Sequence, residues 1–154
     1  MIISIDPGIS GCIAVLNEID GSLIDYLHTP TIKAGKRNRV NAAALAGFLQ
    51  QYKGASHCYI EKVGAMPGQG VASMFSFGHS AGLVEGVVAA LGVPMTLVTP
   101  QAWKKHHGLI GKDKDAARTR AIQLLPECRA LDTKAKGQAL GDAILLGRYG
   151  MEAA

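Results

Sequence analysis

The chain has 154 residues, 48% of them hydrophobic and 18% charged, with a formal net charge of +4. That is the size of one domain with a sizeable core, spanning residues 1–154, and the composition excludes a disordered chain. No apolar run reaches the roughly 18 residues of a membrane span and no basic leader precedes a long apolar stretch, so a membrane association is not expected, while the modest basic excess permits a nucleic-acid partner. Cys12, Cys58 and Cys128 form no paired motif, which fits a reduced, cytoplasmic protein without structural zinc.

Ile2, Ile3 and Ile5 mark a first buried strand, which Asp6 ends and Pro7-Gly8 turns. Strands over 12–16 and 23–28 follow, joined by a turn at 17–22, as an antiparallel meander closed by Pro30. Residues 33–39, with Lys36, Arg37 and Arg39, are expected to form a basic loop. Asn41 can cap a helix to residue 52, with Leu45, Phe48 and Leu49 on one face. A fourth strand over 57–63 carries Glu61, and the glycines of 64–70 predict a loop. The next helix covers about 72–91. Its Gly78, Gly82 and Gly86 stand at i, i+4 and i+8, a flat stripe for close packing on the sheet or on a second copy. A fifth strand over 95–99 leads through Thr99-Pro100 into a short helix. Asp113 can cap another, ending near Leu125-Pro126, and a last helix runs over about 133–149. This order predicts an α/β fold: a mixed five-stranded sheet, antiparallel meander plus parallel strands, flanked by helices on both faces.

Three acids stand out against apolar surroundings. Asp6 ends the first strand, Glu61 lies in the fourth, and Asp142 is the only charge between Ala139 and Gly147. Each alone has an ordinary explanation: a turn aspartate, a solvent-facing edge-strand glutamate, or an early-helix aspartate favoured by the dipole. Together, near the middle of the sheet, they suggest one divalent-metal site. Clustered carboxylates repel unless a cation joins them, and hard oxygen ligands select Mg²⁺ or Mn²⁺. Two such ions ~3.5–4 Å apart suit in-line phosphodiester hydrolysis.

At this point the chain resembles the RuvC-type Holliday junction resolvases of the RNase H-like superfamily, especially the short phage-encoded type. Asp6-Pro7-Gly8, Ile60-Glu61-Lys62-Val63 and Asp142-Ala143-Ile144-Leu145 match the family's three acidic motifs in order. The stretch from Ser76 to Gly86 resembles its glycine-containing interface helix, and the segment from Thr99 to Lys114 its late basic segment. The resemblance implies that Asp6, Glu61 and Asp142 hold Mg²⁺ and are catalytic. It implies a homodimer that nicks two strands of a four-way DNA junction symmetrically. Lys104, Lys112, Lys114 and Arg118 would then contact phosphates, with Lys36, Arg37 and Arg39 as further candidates for DNA binding. Two departures stand out. Gln138 and Ala139 occupy the positions where the family usually has a fourth ligand, Asp or His; either Asp132 moves in, or three acids suffice, or the chain is a weakened or altered version. Gly64 stands where some members carry an aromatic wedge, leaving Met66, Phe75 and Phe77 nearby, the two phenylalanines being expected in the core.

Trp103 could stack on a base or serve packing alone. Adjacent His106 and His107 point to different helical faces and suit no common metal, and His79 is expected at an interface or in the core. Gly108-x-x-Gly111-Lys112 lacks P-loop spacing. Asp6-x-Gly8-x-Ser10 is also shared with actin-like ATPases, but those need two such domains around a nucleotide, so no nucleotide cofactor is expected.

Overall fold

Alternation along the first strand sets the layers. In the computed structural model, which describes residues 1–153, β1 (Ile2–Ile5) sends Ile3 and Ile5 to one face of the sheet and Ile2 and Ser4 to the other. β2 (Cys12–Leu16) and β3 (Leu23–His28) complete the antiparallel meander, with Ile5 opposite Ile13 and Cys12 opposite His28. After the hairpin β4 (Thr31–Ala34)–β5 (Arg37–Val40) and the helix α1 (Ala42–Gln50), β6 (His57–Glu61) returns parallel to β1. A long helix α2 (Val71–Ala90) precedes β7 (Met95–Val98), parallel to β6. The sheet order is β3-β2-β1-β6-β7. The helices α3 (Pro100–His106), α4 (Ala116–Leu124) and α5 (Lys134–Ala153) close the chain.

Helices cover both faces. On one, α1 and α2 bring Leu45, Leu49, Val84 and Val88 onto Ile3, Ile5, Ile13 and Ile60. On the other, α5 lays Leu140, Ala143 and Ile144 over Cys12, Ala14 and Leu16, and Leu145 and Leu146 over Ile2 and Tyr59. This helix comes very close to the sheet. A Cβ on Gly150 would lie 2.3 Å from the Tyr59 ring, and one on Gly147 would lie 2.6 Å from Leu16 Cδ1. Glycine here is a packing device rather than a breaker, which is why α5 continues beyond the expected end near 149. The Ser4 hydroxyl fixes the contact by donating to the Ala143 carbonyl at 2.6 Å.

Several expectations are corrected. Residues 33–39 are not a loop: Ala34 pairs with Arg37 across Gly35, whose φ of +64° suits a tight hairpin turn. A two-stranded ribbon solvated on both faces accommodates its charges, and Val40 anchors its base in the core. Asp113 does not cap α4. Its carboxylate accepts from the Asp115 amide at 2.9 Å, and the helix begins two residues later than a cap at Asp113 would set it, with Asp115 at the N-cap. The glycine stripe of α2 does not pack on the sheet, since a Cβ at Gly78, Gly82 or Gly86 would meet nothing within 4 Å. The helix packs through Ala81, Val84 and Val88 instead. Phe75 and Phe77 are not core residues: they are 75% and 42% exposed. His79 is exposed as well, beside the Phe75 ring. Among the described residues no helix is long and apolar enough to cross a membrane.

Candidate active site

Because β1 and β6 are parallel neighbours with Ile5 opposite Ile60, the residues that leave their C-terminal ends stand side by side. Those residues are Asp6 and Glu61. Helix α5, clamped to β1 through Ser4 and Ala143, brings Asp142 to the same edge. Ligands in open α/β sheets characteristically meet this edge of the strands.

The three carboxyls are mostly buried and act on one another. Burial raises the Asp6 carboxyl above its ordinary value, against a Gly8 amide that donates to Oδ1 at 3.1 Å. Burial raises Glu61 too, and the Asp6 charge adds to it. Asp142 is pushed up to about 7 by burial and by the charges of Asp6 and Glu61. Lys104 opposes the rise at all three. Gly11 makes the crowding possible: a Cβ there would lie 2.2 Å from the Asp6 carbonyl oxygen and 2.9 Å from its Cγ.

Helix α3 supplies the support. Thr99 caps it through the Ala102 amide, and Pro100 occupies its first turn. This turns Trp103 into the core, where its Nε1 donates to Glu61 Oε1 at 2.9 Å. The Lys104 ammonium lies 5.2 Å from the centre of the same indole. Trp103 is thus neither a base-stacking platform nor packing alone; it orients Glu61 and carries the lysine that faces the acids. Composition gave no hint of this pair, which joins residues 42 positions apart.

Lys104, Lys112 and Lys114 line a cleft of about 320 Å³ together with Gln138 and Asp142. Arg118 is engaged elsewhere: both ends of its guanidinium bond Asp115, at 2.7 and 2.8 Å, and Nη1 reaches the Leu131 carbonyl. Lys36, Arg37 and Arg39 are exposed on the β4–β5 hairpin; Arg37 donates to the Ala72 carbonyl at the start of α2 and lines a cleft with Ile9 and Phe77. Asp132 does not move towards the acids; it pairs with Arg129 at 3.2 Å. On the Glu61 side opens a cleft of about 480 Å³, with Met66, Phe77 and Pro100 in its walls. Phe77 also stands next to Gly8, where a Cβ would lie 3.6 Å from the ring. His106 and His107 are apart from the acids, the first paired with Glu152 and the second with the Leu145 carbonyl. Among the described residues, no three His, Cys, Asp or Glu side chains form a ready-made clasp for a metal ion.

No family model matches the sequence, and no curated protein matches it either. Solved structures do. The Thermus thermophilus RuvC structure matches 97% of this chain and 94% of its own, with a TM-score of 0.59 and 18% identity. The likeness establishes the fold as the RNase H-like fold of RuvC: a mixed five-stranded sheet with helices on both faces.

Proposed function

We propose that the chain is a metal-dependent endonuclease that nicks four-way DNA junctions, working as a homodimer. The observation that carries this reading is the convergence of Asp6, Glu61 and Asp142 at one sheet edge of a RuvC-like fold, each carboxyl held above its ordinary value. Three buried acids with Lys104 as their counter-charge form a site short of positive charge. Hard oxygen donors of this kind fit Mg²⁺ or Mn²⁺. A divalent ion bound there would supply Lewis-acid chemistry, activating water and offsetting charge that builds on the phosphodiester.

The chain's own residues do the rest. Trp103 holds Glu61 in place. Lys104, Lys112 and Lys114 neutralise the strand that enters their cleft. The exposed hairpin with Lys36, Arg37 and Arg39 grips duplex arms by charge, which positions DNA without reading its sequence. The open stripe of Gly78, Gly82 and Gly86, flanked by exposed Phe75, is the surface proposed to meet the second copy. Two sites so joined would act on two strands of one junction.

The test is cleavage of an end-labelled immobile junction with Mg²⁺ or EDTA, by the wild-type chain and by Glu61→Gln. Paired nicks that need metal and vanish in the variant support the reading; absence of both binding and nicking refutes it. One observation favours a second reading, binding without cleavage: Ala139 and Gln138 supply no fourth acid, and Asp132 is paired elsewhere. Tight binding without nicks, with cleavage gained by Ala139→Asp, would select it.

A further inference from the structure

The adjacent pair His106-His107 takes no part in the site described above, yet it closes the helix that supports that site. His107 ends α3, and its amide donates to the Trp103 carbonyl at 3.2 Å. Both imidazoles tie this end of α3 to α5. The His106 Nε2 lies 2.8 Å from Glu152 Oε2, and the His107 Nε2 lies 2.8 Å from the Leu145 carbonyl oxygen. A carbonyl only accepts, so His107 carries hydrogen on Nε2 and takes any further proton on Nδ1. The two rings stand edge to face with centroids 4.8 Å apart, and the Tyr149 ring packs on His106 at 5.4 Å.

This joint accommodates one added proton but not two. Glu152 is held below the ordinary carboxylate range, first by its bond to His106, so it is ionised and forms an ion pair with that ring once the ring is charged. Arg148 approaches the same carboxylate at 3.5 Å. His107 has the opposite balance. Burial first, and then the charges of His106 and of Arg120 on α4, oppose a proton there, while the Leu145 carbonyl and Glu152 favour it; the outcome lies below the ordinary 6.5. The folded state therefore binds this proton more weakly than the unfolded chain, and stability is lost as pH falls below 6.5. Two imidazolium rings in contact, one of them half-buried, repel each other strongly. Because α3 is only seven residues long and Trp103 stands one turn before His107, a shift of this end moves the turn that holds Glu61.

We propose that His106 and His107 form an acid-sensitive latch: with one added proton between them they hold α3 against α5 and keep Trp103 on Glu61, and a second proton opens the joint. Both are positioning residues that act on Glu61 through Trp103. The latch itself does not depend on the nuclease reading; its effect on cleavage rests on that reading.

Trp103 is the only tryptophan, so its indole N–H gives a single resonance in ¹⁵N-labelled protein. The experiment uses Glu61→Gln in EDTA, without DNA, because a glutamine acceptor does not titrate. The indole resonance should move in a step below pH 6.5, together with the His107 imidazole. Adding His107→Gln, which keeps a donor for the Leu145 carbonyl but takes no proton, should abolish that step. An equal step in both proteins, or none in the first, overturns the latch. His106→Gln is the second arm, should the His107 variant not fold: without the neighbouring cation His107 should titrate at higher pH, and an unchanged midpoint overturns the repulsion between the rings. On a four-way junction with Mg²⁺, His107→Gln alone should match wild-type cleavage above pH 6.5 and decline less steeply below it. Parallel profiles overturn the link to the site. If neither protein nicks the junction, the nuclease reading fails while the indole titration still decides the latch.

Discussion

Replacing Asp142 with Asn tests the electrostatics of the site without assuming any activity. In the folded protein burial and two neighbouring acids push this carboxyl from its ordinary 3.8 to about 7. The folded state therefore holds the proton more tightly than the unfolded chain. Stability from this group is fully present below about pH 4 and is lost as pH rises through about 7. A rise of about three pH units, at ~1.4 kcal/mol each, sets a ceiling of roughly 4 kcal/mol. Asn carries no charge and escapes that loss. In EDTA at about pH 8, urea unfolding should find Asp142→Asn more stable than wild type by roughly 2–4 kcal/mol, and the two should converge near pH 4. Glu61 and Asp6, raised in the same direction, would also lose some repulsion in the variant. Adding Mg²⁺ at about 1,000 times its Kd should then cancel or reverse the order, since it stabilises the wild type by ~4.1 kcal/mol and would stabilise the variant little. Equal stability in EDTA at about pH 8, or a gain that does not depend on pH, would refute the reasoning.

Three further perturbations probe the supports. Trp103→Phe removes the 2.9 Å bond to Glu61 and leaves part of the buried indole's space empty, and should cost about 2–4 kcal/mol in urea unfolding while raising the Glu61 carboxyl further. Gly11→Ala places a Cβ 2.2 Å from the Asp6 carbonyl oxygen, which should cost about 3 kcal/mol; an unchanged melting temperature would refute the packing described. Gly82→Leu meets open space, so the monomer should tolerate it or gain up to ~0.8 kcal/mol of helix propensity. Its sedimentation mass should nonetheless fall towards that of one chain, and unchanged mass and melting temperature together would remove α2 from any dimer contact.

The sheet was legible because its strands announce themselves locally. Ile2 to Ile5, Cys12 to Leu16 and His57 to Glu61 are short apolar runs bounded by turn residues, and no distant partner is needed to recognise them. The acids were legible for the complementary reason. An uncompensated charge inside an apolar run is anomalous in the sequence itself, and the parallel pairing of β1 with β6 then brings two such anomalies together. The basic hairpin was not legible, because Lys33 to Arg39 has neither apolar alternation nor a core to face. Its strands exist only as each other's partners.

Apolarity also says that a side chain prefers to leave water, not where its partner is. Phe75 and Phe77 look like core residues in the sequence, yet α2 turns them outwards on the same helix whose glycines face open space. The same limit hid the pairs that span long separations. The Trp103 bond to Glu61, and the Thr29 hydroxyl left without a partner, follow from where α3 and the end of β3 are placed by the fold. A charge in the wrong surroundings can be read from its neighbours in sequence; a hydroxyl that lacks a partner can be recognised only after every nearby group has been placed. For that reason the acids of this site were visible at the outset, whereas the cleft beside them required the fold.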